Sequence, residues 1–249
     1  MVYPSSFGLN ITVCVPALLF SFSCAWREGQ RYSHFVTPTP LRQSETLVIG
    51  FLGGREPWNN DRRNVRRLAL KLRAMRLPGL HVETIENRKR PLAIELIRKA
   101  FDRNCDGILD AQERASARVI VYGQSFGGAA VVKLARELKA LDIPVLLSIQ
   151  VDSVGRGDAV IPSNVAAAAN LFQSNGWIIR GEPFIRAEDS GRTRIIGNFK
   201  YDYRHKEIDL SGVSWLKKIF RAAHTKMDFD PAVWSQVESL ILAELNKPS

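Results

Sequence analysis

From residue 46 onward, short apolar runs of strand length alternate with longer stretches that repeat at helical spacing, and few folds tolerate that order. The runs Thr46–Phe51, His81–Glu86, Ala117–Gly123 and Val145–Val151 are rich in Val, Ile and Leu. Each stops at or just before Gly, Asn or Asp, as strands buried on both faces of a parallel sheet do. Helical patterns fill the gaps at about 59–76, 90–101 and 126–141. In the third, Val131, Leu134, Ala135, Leu138 and Leu141 mark one buried face. Strand-helix alternation requires right-handed crossovers, with helices on both sides of the sheet. The expectation is a three-layer α/β/α sandwich around a mostly parallel sheet.

The later chain gives a weaker pattern. The alanine-rich stretch 163–173 reads as a helix, and Trp177–Ile179 and Thr193–Phe199 read as strands. Val233, Trp234, Val237, Leu240, Ile241 and Leu245 form an apolar stripe. Asp230 stands where its N-cap belongs, and Pro231 at its first helical position. No internal repeat or linker divides 26–249, which reads as a single domain.

The first twenty-five residues carry no Lys, Arg, Asp or Glu, and Leu9 to Phe22 is largely apolar before Ser23-Cys24-Ala25. This reads as an export segment over 1–25, sending the chain to the periplasm or outside the cell. Alternatives are a lipoprotein anchored through Cys24, or a disordered or docked N-terminus. Three cysteines in 249 residues exclude a disulfide framework as the main stabiliser.

The sequence Gly123-Gln124-Ser125-Phe126-Gly127 ends one predicted strand and opens an amphipathic helix. A nucleophilic serine needs this setting: a sharp strand-to-helix turn, small residues to relieve crowding, and a helix N-terminus whose free amides face developing negative charge. The Phe126 amide is the natural first oxyanion donor. A second is expected from Ile49-Gly-Phe-Leu-Gly-Gly54, from Leu52 first and Gly53 second. Serine also needs a base oriented by an acid. Of His34, His81, His205 and His224, the last lies beyond the final strand. With Asp152 at the end of the strand after the nucleophile helix, it completes the order Ser, Asp, His. Asp158 is the rival acid.

Residues 46–245 resemble an α/β hydrolase, nearest to secreted bacterial lipases and esterases. The resemblance implies a Ser125–His224–Asp152 triad cleaving a small-molecule or lipid ester through an acyl-enzyme, with 153–190 as a small cap. The same groups would serve a thioesterase or acyltransferase. From another class, the alternative is a non-catalytic, calcium-stabilised envelope-binding protein on a hydrolase scaffold.

Two further features stand apart. Asp102, Asn104, Asp106, Ile108, Asp110 and Glu113 occupy positions 1, 3, 5, 7, 9 and 12 of a twelve-residue loop with Gly107 at 6. This resembles the EF-hand calcium loop, which implies a structural calcium ion just before the nucleophile strand. Arg62, Arg63, Arg66, Arg67, Lys71, Arg73 and Arg76 crowd one helix of a chain with net charge +10. They read as a solvated outer face, with peripheral contact to anionic membrane as the alternative. No nucleic-acid motif accompanies them.

Overall fold

In the computed structural model, which describes residues 29–176, 179–211 and 222–247, the four apolar runs become strands at the heart of one sheet. They are β1 (Thr46–Leu52), β2 (Leu80–Glu86), β3 (Val119–Gln124) and β4 (Val145–Val151). Two short strands, β5 (Val160–Ile161) and β7 (Arg186–Ala187), pair outside it. The longer β6 (Val165–Gln173) and β8 (Arg194–Tyr201) complete six strands in the order β2-β1-β3-β4-β6-β8, every neighbouring pair parallel.

Helices cover both faces, because alternate strand residues point to opposite sides. On one side Leu47, Ile49 and Phe51 of β1 pack against α2 (Arg90–Phe101) and α4 (Phe126–Lys139). On the other, Val48 and Leu52 meet α1 (Asn64–Ala74), α5 (Ala222–Phe229) and α6 (Pro231–Leu245). The short α3 (Ala111–Ala115) leads into β3. The three-layer α/β/α arrangement expected from the sequence is the one found.

α6 starts as its sequence specifies: Pro231 opens it and the Asp230 carboxylate accepts from the Ala232 amide at 3.0 Å. Its Val233, Val237 and Ile241 are fully buried, each stabilising the fold by about 1.5–3 kcal/mol.

Two expectations are corrected. Residues 163–173 are not helical: Val165–Gln173 is strand β6, between β4 and β8. Alanine favours a helix in isolation, but here Ala167, Ala168 and Ala169 are buried alternately into the two core layers, and packing overrides propensity. Because β6 runs through the core, 153–190 cannot form a single cap. Of the strand expected at Trp177–Ile179, the first two residues lie outside the described residues, and Ile179 is in a loop. The expected export segment also lies outside them. No helix among the described residues is long and apolar enough to cross a membrane.

The basic helix is only partly a solvated face. Arg66 is buried: it donates to Thr84 Oγ1 at 2.9 Å and stacks over Trp58. Arg73 bonds Glu83 at 2.7 Å, and Arg63 bonds Asp228 at 2.7 Å.

Candidate active site

The chain runs outward from β1 to β2 on one side and from β3 to β4 on the other, so the strand order reverses between β1 and β3. In open parallel sheets a crevice forms beyond the carboxyl ends of the strands at such a point. A cavity of about 100 Å³ lies there, lined by Gly53 and Gly54 after β1, Gln124 to Phe126 after β3, Val154 after β4, and Ile179. Its remaining wall is His224, Thr225 and Asp228 of α5, with Glu56 and Arg63.

Ser125 is held at φ 58° and ψ −123°, in the left-handed region that a residue with a side chain rarely adopts. Such a conformation costs about 1–3 kcal/mol and persists only where the surroundings enforce it. They do so through the backbone: the Ser125 amide donates to Val151 O at 2.9 Å, and its carbonyl accepts from Gly128 N and Val154 N. The turn also brings α4 onto β1. A Cβ at Gly127 would stand 2.0 Å from Phe51 O, so no other residue fits. Phe126 is the first residue of α4, where an amide has no intrahelical acceptor.

Asp152 follows β4 directly and is fully buried. Its Oδ2 lies 2.6 Å from His224 Nδ1. That ring nitrogen carries the proton it shares with the carboxylate, which leaves Nε2 of a neutral imidazole as an acceptor. His224 is 8% exposed, and Nε2 faces the Gln124 carboxamide nitrogen at 3.3 Å. Among the described residues, the Ser125 hydroxyl forms no hydrogen bond. Such contacts commonly tighten only when substrate binds.

α5 aims these groups by its periodicity. His224 and Asp228 stand one turn apart on the cavity side, while Ala223 and Met227 enter the core. The helix is pinned from two directions. Arg63 bonds Asp228 Oδ2, and the Asp228 carbonyl accepts from Asn64 Nδ2 at 2.5 Å and Trp234 Nε1 at 2.7 Å. Beyond it, Tyr203 donates to Asp230 Oδ2 at 2.8 Å. Burial, and then this bond, push the Tyr203 hydroxyl well above the usual phenol range, so it stays a donor.

The rival candidates lie elsewhere. Asp158 is buried and accepts from Ser153 Oγ at 2.5 Å. His34 stacks on Trp58, His81 contacts Glu45, and His205 is exposed. Leu52 is fully buried at the end of β1 and does not line the cavity. Gly53 does, its Cα side facing Ser125 Cβ.

In the segment 102–113, which resembles a calcium loop in sequence, the acidic side chains accept from the loop's own backbone amides. Glu113 Oε1 accepts from Arg103 N and Oε2 from Asp110 N, while Asp110 accepts from Glu113 N. These bonds form a capping box at the start of α3. Asp102 accepts from Asp106 N and Gly107 N, and Asp106 from Ile108 N. Among the described residues, no three His, Cys, Asp or Glu form a group able to hold a metal ion.

Reasoning from sequence missed Gln124, Glu56, Arg63 and Asp228. Asp228 was findable, one helical turn after His224; the others depend on tertiary placement.

No protein-family model matches the sequence, and no curated protein matches it. Among solved structures, the chain is similar to a Trichoderma reesei cutinase in complex with a phosphonate inhibitor, at 11% identity and TM-score 0.40, covering 84% of this chain and 79% of that one. It is also similar to a cutinase-like protein from Cryptococcus sp., at 12% identity and TM-score 0.43, covering 85% of this chain and 100% of that one. An inhibited esterase B from Lactobacillus rhamnosis gives 13% identity and TM-score 0.39, with 84% and 79% covered. At this distance the likenesses decide nothing about chemistry, which has to be read from the site itself.

Proposed function

We propose that the protein is a serine hydrolase that cleaves carboxylic esters through an acyl-enzyme. The observation that carries this reading is the 2.6 Å contact between His224 Nδ1 and buried Asp152, on a cavity shared with Ser125 at its strained turn. A non-catalytic scaffold has no use for that strain.

On this reading the Ser125 hydroxyl turns to His224 Nε2 as substrate enters. Oγ attacks the ester carbonyl while His224 takes its proton, and Asp152 stabilises the imidazolium that results. The carbonyl oxygen becomes an oxyanion held by the Phe126 amide and the Gly53 amide, the latter replacing Leu52 because Gly53 lines the cavity. The alcohol leaves with the proton from His224. Water then attacks the acyl-enzyme, giving its proton to His224, and the acid and Ser125 are released.

The cavity favours an esterase over a lipase. About 100 Å³ holds a few heavy atoms, far below the pockets that enclose drug-sized ligands. Its wall includes Glu56, Arg63 and Asp228, so one side is charged rather than greasy. Acetyl or propionyl esters are therefore the expected substrates, and long-chain acyl esters poor ones.

A fluorophosphonate probe tests the reading. Labelling of the folded protein that is lost in Ser125→Ala supports it, with p-nitrophenyl acetate cleaved faster than the octanoate. Absence of labelling in folded protein overturns it.

A further inference from the structure

We infer that Gln173 is a positioning residue, holding the Asp152 carboxyl group aimed at His224. This inference rests on the triad reading above. Asp152 is fully buried, and a buried carboxylate is costly unless donors surround it. Besides His224, the donors come from one neighbour. The Gln173 backbone amide donates to Asp152 Oδ1 at 3.3 Å, and its carboxamide Nε2 donates to Oδ2 at 3.0 Å. Oδ2 is the oxygen that also receives His224 Nδ1. Hydrogen bonds to a charged acceptor are the stronger kind, and two from one residue set the tilt of the carboxylate.

Gln173 is itself fixed. It is fully buried at the end of β6, the strand beside β4, where Asp152 N donates to Leu171 O at 2.7 Å. Its Oε1 accepts from Gly176 N at 2.8 Å, which orients the carboxamide with nitrogen toward Asp152. The same nitrogen also donates to Ile179 O at 3.0 Å, and Ile179 lines the cavity. One side chain thus joins the acid to the loop that walls the substrate site. Close packing leaves the carboxylate little room: a Cβ at Gly181 would stand 2.1 Å from Asp152 Oδ1.

A purely structural tie between β6 and the following loop is the competing role, and two substitutions in the full-length protein separate them. Gln173→Glu keeps the side-chain shape and the acceptor for Gly176 N, but replaces the donor beside Asp152 with a second carboxylate. Gln173→Met keeps approximate size and removes the carboxamide. Three readouts are compared with wild type: the rate of Ser125 labelling by a fluorophosphonate against pH, the titration of the His224 imidazole by NMR, and Tm.

Loss of positioning slows labelling in Gln173→Met on the order of tenfold. In Gln173→Glu the two carboxyl groups share a proton until both ionise, and over the range where both are ionised the added negative charge stabilises the imidazolium, so the His224 titration and the rising limb of the labelling profile both move to higher pH. If both variants lower Tm yet keep the wild-type imidazole titration and labelling profile, Gln173 is only a loop tie and the proposal falls. The two readings fail separately. Folded wild type that resists the probe at every pH overturns the hydrolase reading, whereas the imidazole titration needs no activity and still decides whether Gln173 acts on the Asp152–His224 pair.

Discussion

Ser125, Asp152 and His224 obey different rules, and the sequence reveals them unequally. Ser125 was legible because its constraint is local: glycines at 123 and 127 and a strand-to-helix turn are properties of five consecutive residues. Asp152 and His224 were found by chain order, a weaker signal that left Asp158 standing until the 2.6 Å contact separated them. Gln173 was not legible at all, since a glutamine becomes an orienting group only through the strand beside it. Local charge pairs show the same limit. Glu188 accepts from Lys139 Nζ at 2.6 Å and from the Ser163 amide at 2.8 Å, joining the region after β7 to α4. These bonds, the lysine's first, lower its pKa from the ordinary 4.5 to about 2. A carboxylate depressed by folding adds stability that is present above its unfolded value and lost as pH falls through its folded one. The pair is exposed, so the effect is small and screened by salt. Glu188→Gln should melt slightly below wild type at pH 7, and the gap should close as pH falls from about 4.5 to 2. Parallel melting curves across that window would show that the pair is silent.

Elements were legible where their pattern and their burial agreed. β4 and α2 were read at their observed bounds, because a run of branched apolar residues, or a 3.6-residue stripe opened near a proline, leaves little choice. β6 was misread because alanine carries no shape, and the sheet position that decides its conformation lies in β4 and β8. α1 was read as a helix but its charges were misjudged: Arg63, Arg66 and Arg73 serve tertiary bonds that no linear pattern announces. The loop before α3 teaches a related lesson about spacing. Carboxylates at the intervals of a calcium loop also suit turns and helix caps, because both uses want oxygens near successive backbone amides. With Glu113 spent on amides, a chelator should leave the melting temperature unchanged. A drop of several degrees on chelation, reversed by added calcium, would restore the metal reading.

For the whole molecule, parallel strand polarity sends Gly53, Ser125, Asp152 and Gln173 to one edge of the sheet, leaving the base to arrive from α5. On the proposed reading the nucleophile and acid therefore ride on adjacent central strands, whose backbone bonds break only with the fold. The base does not. The described part of α5, Ala222–Phe229, is tied to the body by the Arg63–Asp228 pair, by Asn64 and Trp234 on one carbonyl, by Lys226 on the Tyr203 and Lys206 carbonyls, and by Ala223 and Met227 in the core. Elements secured mainly by a few side chains open at lower free energy than central strands. The consequence is a gap between inactivation and denaturation. In a urea titration, catalytic competence should vanish at a lower concentration than far-UV circular dichroism, and α5 amides should exchange with deuterium before those of β3 and β4. Coincident transitions by both probes would mean that the base shares the cooperativity of the sheet. If they separate, the durability of the proposed activity is set by α5, and strengthening the seat of α5 would lengthen its working life more than any improvement to the core.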